Sequence, residues 1–254
     1  MEVKRNVEGF DTSDLAWDAY KIMYKSDCDE TMSLCKIFDL SKPDIKAGRK
    51  EAFIKSEIKG ITKENNKNIS VSGDIIFNFS GKDSKNGQGR YDNFRKYIKK
   101  IEDEEEKEEY LNKLEICHRM HYSIENCSLM VKQGKLQIAK QSIGNDRGDT
   151  FIWALDEYYK GKNELVLNHS TQENCLILKE ALKCFEYKKS PSESIYQYCE
   201  MFYNIYDKEL VDALIYSGSK AINSARRVQE YIELALAFWG MRSKFYYQKK
   251  QTIL

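Results

Sequence analysis

Two histidines and an arginine lie close together in the sequence and have the side chains of an acid–base catalyst. His118 and His121 are three residues apart, which places both on one side of a helix, and Arg119 lies between them. In a metal-independent ribonuclease, one histidine deprotonates the 2′-hydroxyl group, the other protonates the leaving oxygen, and an arginine binds the phosphate. The longer arginine-to-histidine spacing of many prokaryotic toxin ribonucleases is absent. The alternative is structural, because both histidines neighbour Leu114 on an apolar helical face.

A polar loop over residues 144–150 is the second candidate for chemistry. It carries Asp146, Arg147 and Asp149 directly before a predicted helix. At a helix N-terminus, Arg147 and the backbone N–H groups could bind a phosphate. The two carboxylates could bind Mg²⁺ or act as a base. The structural alternative is that Asp149 or Thr150 caps the helix, while Asp146 is stabilised by the positive end of the helix dipole.

The pattern D-R-x-D at 146–149, followed after eight residues by Tyr-Tyr at 158–159, resembles a family of uncharacterised bacterial proteins. In that family a β-hairpin leads into a loop and helix with this pattern, and an aromatic-rich helical tail follows. The resemblance spans about residues 127–245. One departure is Thr-Phe-Ile-Trp-Ala-Leu at 150–155, where the family has Leu-Thr-Leu-x-Cys-Ile. The resemblance implies the fold of this region and the location of a functional loop, and it implies no particular reaction.

The most basic part of the chain lies between residues 42 and 100, where Lys and Arg outnumber Asp and Glu by fifteen to seven. Tyr91, Phe94 and Tyr97 are interleaved with the cations, and this combination can follow a nucleic-acid backbone while stacking its bases. The predicted RNA contacts are Arg90, Arg95, Lys96, Lys99 and Lys100. An acidic run at 102–109 follows at once, so the alternative is an ordinary solvated surface whose charges pair along a helix.

The composition excludes several classes of protein. Hydrophobic residues make up 41% of the 254 residues, too many for a disordered chain, and a net charge of +1 provides no global attraction to polyanions. Two prolines and 13 glycines favour long helices over many-turned β-sandwiches. The chain has no Walker A loop, G-x-G-x-x-G fingerprint or G-x-S-x-G elbow, which argues against P-loop NTPases, dinucleotide-binding enzymes and α/β-hydrolases.

The expected compartment follows from the N-terminus, the apolar runs and the cysteines. The first residues contain no apolar signal segment, and the apolar runs are far shorter than the ~20 residues of a membrane span. Seven scattered cysteines without a C-x-x-C pair indicate reduced thiols and no zinc site. We therefore expect a cytoplasmic protein that has no membrane partner and no cofactor, unless the loop at 144–150 holds Mg²⁺.

Two parts of the chain alternate with the period of a β-strand. They are residues 69–79 and residues 127–139, the second of which is a hairpin with a turn at Gln133-Gly134. A lone hairpin is marginally stable, so we expect both parts to pair in one small sheet.

Helical periodicity covers most of the remaining sequence. The helices predicted before the final third are 13–24, 30–38, 91–101, 104–126 and 150–160, and the structure of 42–67 is uncertain. In the final third, capping boxes begin at Ser170 and Ser190, and Gly218 is expected to end a helix in the αL conformation. The last helix, 223–247, is apolar on more than one side and is expected to be the spine of the core.

These patterns predict a single α+β domain over residues 1–254, predominantly α-helical with one small antiparallel sheet and an all-helical part at 150–247. The candidate chemistry predicts a cytoplasmic bacterial protein that acts on RNA, of the toxin-like or phage-defence (abortive-infection) ribonuclease type. The alternative is a non-enzymatic interaction module of a bacterial defence or regulatory system, with a partner protein or a second copy of the chain as its target.

Overall fold

A four-stranded antiparallel sheet forms the β part of the fold. The computed structural model describes residues 10–24, 44–46, 49–54, 69–79, 89–131, 147–162, 179, 182–183, 185–187 and 190–253. The strands lie in the order β1 (Asp44–Lys46), β2 (Arg49–Ile54), β3 (Ile69–Ile75) and β4 (Cys127–Val131). β3 and β4 pair from Ile75 opposite Cys127 to Val71 opposite Val131, which confirms the predicted pairing of the two alternating segments. β1 and β2 fall in the region whose structure the sequence left uncertain.

Seven helices within the described residues supply most of the fold, which confirms the predicted α+β class with predominant helix. They are α1 (Asp14–Met23), α2 (Arg90–Ile98), α3 (Glu104–Met120), α4 (Gly148–Tyr159), α5 (Ser194–Tyr203), α6 (Lys208–Gly218) and α7 (Ala225–Ile253). Short 3-10 turns occur at 10–12, 124–126 and 191–193. No helix that the structure describes is long and apolar enough to cross a bilayer.

Side-chain caps define where three of these helices begin. Ser13, Asp103 and Asp207 accept hydrogen bonds from backbone N–H groups in the first turns of α1, α3 and α6. The cap at Asp103 separates α3 from α2. The predicted box at Ser190 does not form, because a 3-10 turn at Pro191–Glu193 moves the start of α5 to Ser194 and leaves Ser190 without a capping bond.

α7 is the spine of the core, as its apolar pattern predicts. Val228, Ile232, Ala235 and Phe238 are fully buried, and the helix contacts α1, α2, α3 and α6. The ring of Phe77, which follows β3, packs against Phe238 at 5.2 Å and against further rings of α7. These ring contacts, of which those with Phe238 and Trp239 are edge-to-face, join the sheet to the helical layer.

Two buried polar side chains fasten α7 to the sheet. Asn126 accepts hydrogen bonds from the Phe77 N–H and the Trp239 indole N–H, and it donates to the carbonyls of Phe77 and His121. Arg242 is fully buried and donates to backbone carbonyls of Tyr203, at the end of α5, and Cys127, in β4. Both side chains form hydrogen bonds with backbone groups in the interior of the protein.

Several predictions lie outside the described residues. They are the helix at 30–38, the second strand of the hairpin at 132–139 and the capping box at Ser170. Among the cysteines that are described, Cys117, Cys127 and Cys199 are buried with free thiols. Burial raises the pKa of each of these thiols, so they behave as small apolar side chains.

Candidate functional site

The predicted loop–helix site forms a compact polar cluster at the N-terminus of α4. The Asp149 carboxylate is fully buried and accepts hydrogen bonds from Arg147 Nε at 3.0 Å and Nη2 at 2.6 Å. The hydroxyl of Ser217 in α6 donates to the same carboxylate at 2.7 Å. Arg147 also donates to the backbone carbonyls of Ser217 and Lys220. We call Arg147, Asp149 and Ser217 the Asp149 cluster.

Two glycines allow the backbone to approach closely enough for this cluster to form. The Gly148 N–H donates to the carbonyl of Ile76 at 2.9 Å, and a Cβ atom at residue 148 would lie 2.5 Å from that oxygen. A Cβ atom at Gly218 would lie 2.1 Å from the carbonyl oxygen of Asp149. The prediction of an αL cap at Gly218 is therefore wrong, because this residue is helical and its missing side chain is what lets α6 touch α4.

The charges of the Asp149 cluster balance each other inside the protein. Burial alone would lower the pKa of Arg147, but the adjacent carboxylate of Asp149 outweighs it and raises the pKa. The guanidinium also lies 5.3 Å from the ring of Tyr231, which is fully buried. The pKa of Tyr231 is raised mainly by burial and secondly by the charge of Asp149. The hydroxyl therefore stays protonated beside the ion pair.

This geometry favours the structural alternative for Arg147 and Asp149. Both Asp149 oxygens are occupied, and Arg147 uses four of its five N–H donors on protein groups. A phosphate or a metal ion would have to displace these bonds in a site with almost no solvent exposure. Asp146, the third member of the predicted site, lies outside the described residues.

The two histidines of the predicted acid–base pair lie in different environments. His121 is 4% exposed, and its Nδ1 lies 3.2 Å from the Phe77 carbonyl and 3.3 Å from the Phe79 N–H. His118 is half-buried, and its ring packs against Tyr91 with 4.6 Å between the centroids and 44° between the ring planes. The Nδ1 atom of His118 is buried and has no hydrogen-bond partner among the described residues. His121 thus fits the structural alternative, whereas the Nδ1 atom of His118 is bonded by no group in the part of the chain that the structure describes.

The start of α4 and the His121 side chain both contact residues 76–79, the short segment that follows β3. Gly148, at the start of α4, bonds the backbone of Ile76, and His121 contacts the backbone of Phe77 and Phe79. The contact atoms of the segment are carbonyl and N–H groups. The segment therefore positions both groups without offering a reactive side chain of its own.

The predicted RNA-contact residues divide into one buried arginine and four exposed cations. Arg90 is 9% exposed, donates to the Asn78 carbonyl at 3.3 Å and shares the buried face of α2 with Phe94 and Ile98. Its prediction as a surface contact is wrong, since its spacing of four from Phe94 turns it inward. The exposed cations are Arg95, Lys96, Lys99 and Lys100, and Arg119 is exposed on α3.

Two participants in the Asp149 cluster and its surroundings, Ser217 and Tyr231, belong to no sequence pattern that connects them with the loop. The sequence predicts Asn126 only as the end of a helix, whereas its side chain bonds Phe77 and Trp239 where α7 meets the sheet. Tyr231 follows Val228 by three residues on the apolar face of α7, so its burial could have been predicted from spacing. The contact of Ser217 with Asp149 has no sequence signal, because 68 residues separate them.

The described residues contain no group of three or more His, Cys, Asp or Glu side chains placed to hold a metal ion. Comparison of the chain with protein-family models, curated proteins and solved structures finds no match. The resemblance of residues 127–245 to an uncharacterised bacterial family therefore stays a prediction.

Proposed function

We propose that this chain is a cytoplasmic RNA-acting protein that binds single-stranded RNA at the C-terminal end of α2. One observation carries the proposal: Arg95, Lys96, Lys99 and Lys100 are all exposed within six residues, beside half-buried Tyr97. Cations this close together can neutralise consecutive phosphates, and the neighbouring aromatic ring can stack on a base.

The contacts around these cations support an available surface. Arg95, Lys99 and Lys100 form no ion pair with another described residue, and the Lys100 ammonium lies 5.3 Å from the Tyr97 ring centroid. A cation beside an aromatic face presents a phosphate contact and a stacking surface together. The helix dipole also favours cations at this end, so their substitution changes stability slightly as well.

Any ribonuclease activity, of the toxin-like or phage-defence type, is assigned to His118 and Arg119. The other described candidates have their polar atoms occupied by protein groups. His118 combines a half-buried ring, packed against Tyr91, with a neighbouring exposed arginine. In this proposal the imidazole accepts the proton of the 2′-hydroxyl group and then donates it to the leaving 5′-oxygen, while Arg119 binds the phosphate.

The binding experiment measures the affinity for a fluorescent single-stranded oligoribonucleotide by anisotropy at several salt concentrations. Each neutralised phosphate on a single strand contributes about −0.7 to the slope of log affinity against log salt. Charge reversal of Arg95, Lys99 and Lys100 to Glu should therefore reduce the slope by about 2. No binding at low salt, or an unchanged slope, contradicts the proposal.

A matched control carries the same change of net charge on other faces. Lys21, Lys162 and Lys208 are exposed, and their reversal to Glu should leave the slope at its wild-type value. Cleavage is tested separately with total RNA in EDTA and in Mg²⁺, comparing His118→Gln with Asn112→Gln on the exposed part of the same helix. Cleavage that survives His118→Gln refutes the assignment of His118.

A second candidate function is a protein-interaction module, which one groove favours. A space of about 560 Å³ opens between α3, α6 and α7, with Tyr110, Leu210 and Leu234 among its lining residues and Glu106 and Glu230 also present. Analytical ultracentrifugation of the wild type and of Leu210→Glu tests whether copies of the chain associate there. If the wild type sediments as a monomer at all concentrations, self-association through this groove is excluded.

A further inference from the structure

One stripe of side chains runs along α7 on the side that faces away from the core. Its members recur at alternating steps of three and four residues, which keeps them on one face of the helix. The first and last members, at 230 and 247, are 17 residues apart, which corresponds to about 26 Å along a helix. Glu230 is half-buried and the others are exposed. We call this stripe the α7 seam, and its members are Glu230, Glu233, Ala237, Gly240, Lys244 and Tyr247.

The residues at the centre of the α7 seam are small. Ala237 and Gly240 are both exposed in the interior of a helix of 29 residues. Glycine destabilises a helix interior relative to alanine. A Cβ atom at residue 240 would meet no described atom within 4 Å outside its own helical turn, so packing within the chain does not require glycine there. Two small residues at the centre instead allow the backbone of another element to approach α7 closely.

The charges of the α7 seam are divided between its two halves. Glu230 and Glu233 lie in the first half, where they pair with Arg226 and Lys113. Lys244 lies in the second half, and it has no acidic neighbour on its own helix because the sequence contains no Asp or Glu after Glu233. The helix dipole does not explain this division, since its effect is confined to the first and last turns.

An antiparallel second copy of α7 matches each residue of the seam with a complementary one. If the two helices cross midway between residues 237 and 240, Ala237 of one copy faces Gly240 of the other. Glu233 then faces Lys244, and the Glu230 carboxylate faces the Tyr247 hydroxyl, which can donate a hydrogen bond to it. A twofold axis makes each of these pairs occur twice. The alternating spacing is that of a coiled-coil contact between two helices.

We infer that two copies of this chain associate through the α7 seam as an antiparallel dimer with twofold symmetry. Ala237 and Gly240 form the centre of the interface, and Glu233 of each copy pairs with Lys244 of the other. The inference rests on the second candidate function, because it names the occupant of the groove between α3, α6 and α7, and it is independent of RNA binding.

The groove and the α7 seam fit this arrangement together. The seam residues from Glu230 to Ala237 line the groove, so the groove lies along the first half of the seam. In the antiparallel register that half lies opposite Gly240, Lys244 and Tyr247 of the second copy. Each groove therefore receives the second half of the other copy's seam, and its acidic side chains meet a lysine rather than another carboxylate.

The test measures the dissociation constant of the dimer by analytical ultracentrifugation over a range of protein concentrations. Glu233→Lys and Lys244→Glu each place like charges opposite one another at two symmetric positions, so each should raise the dissociation constant at least about tenfold. The charge-swapped double variant Glu233→Lys/Lys244→Glu should return the dissociation constant to the wild-type value, although it does not restore the ion pair of Glu233 with Lys113.

Mixing the two single variants tests the same pairing in a second way. Lysines at 233 and 244 of one chain then meet glutamates at 244 and 233 of the other, so an equimolar mixture should form the dimer that each variant alone does not. The control substitutions are Glu108→Lys and Lys208→Glu, which change the same charges at exposed positions that do not line the groove. Each control variant should dimerise as the wild type does.

The outcomes separate this inference from the proposals above. A wild type that is monomeric at all concentrations overturns the inference and leaves RNA binding at α2 unaffected. A dimer that Leu210→Glu disrupts but both seam variants leave intact overturns the α7 seam and retains the groove as an interface. Weakened single variants without rescue in the double variant and the mixture also overturn it. Thermal unfolding confirms that each variant is folded, and if one single variant does not fold, the other and the double variant still decide.

Discussion

The Asn126 side chain allows a sharp test of how α7 is held to the sheet. It makes four hydrogen bonds inside the protein with no solvent exposure. Asn126→Ala removes all four at once. The N–H groups of Phe77 and Trp239 then have no acceptor, whereas the Phe77 carbonyl keeps a contact with His121 Nδ1 at 3.2 Å.

The expected loss of stability follows from the two orphaned donors. A buried polar group without a partner costs about 1–3 kcal/mol, so the substitution should lower the free energy of unfolding by about 2–6 kcal/mol. Since domains are stable by about 5–15 kcal/mol, this is a large fraction of the total. In urea the unfolding midpoint should fall by about 1–2 M.

The assay is urea unfolding followed by tryptophan fluorescence, to which Trp239 contributes with Trp17 and Trp153, and by far-ultraviolet circular dichroism. Asn112→Ala is the matched control, because Asn112 is exposed on α3. It should change stability by less than about 0.5 kcal/mol. If the free energy of unfolding of Asn126→Ala lies within about 1 kcal/mol of that of Asn112→Ala, the buried donors find other acceptors and the reasoning is refuted.

Three further predictions test other parts of the molecule. Gly218→Ala should lower the free energy of unfolding by about 1–3 kcal/mol, because the new Cβ atom clashes with α4. Gly240→Ala has open space around its Cβ atom and should raise the free energy of unfolding by about 0.5–1 kcal/mol. Equal effects of the two substitutions in chemical denaturation would contradict this. Arg147→Ala leaves the buried Asp149 carboxylate without its cation and should lower the free energy of unfolding by about 3–5 kcal/mol. Unchanged stability would show that the ion pair is dispensable. The hydrogen bond to Asp212 raises the pKa of Tyr196 to about 12. Its stabilising effect is complete below the usual tyrosine pKa and is lost as the pH rises through about 12. NMR titration should show that the pKa falls in Asp212→Asn.

Sequence reasoning identified the elements whose periodicity is strong. β3 and β4 alternate clearly and α7 carries a continuous apolar pattern, so tertiary contacts agree with local preference. β2 has the sequence Arg-Lys-Glu-Ala-Phe-Ile, in which three charged residues obscure any alternation. Its strand conformation depends on pairing with β3, and a contact of that kind has no local signal.

The candidate site illustrates a different limit. The sequence correctly located a polar group at the start of α4, but the residue types alone left its carboxylate free for chemistry. What occupies that carboxylate is Ser217, together with an arginine held by the carbonyl of Lys220. The Ser217 hydroxyl and the Lys220 carbonyl both lie at or just after the end of α6, far from Asp149 in the sequence. Only the assembled fold therefore decides whether the carboxylate is reactive or structural.

The same long-range contacts order the steps by which the protein folds. The start of α4 forms hydrogen bonds with Ile76, about 70 residues earlier in the chain, and with residues 217–220, about 70 residues later. Two large loops must close before either set of bonds can form, whereas α1, α2 and α3 need only local contacts. We therefore expect the ion pair to remain hydrated until the sheet and the C-terminal helices have assembled. On this reasoning its desolvation is a late event, and folding is completed rather than started at the junction of α4 with α6.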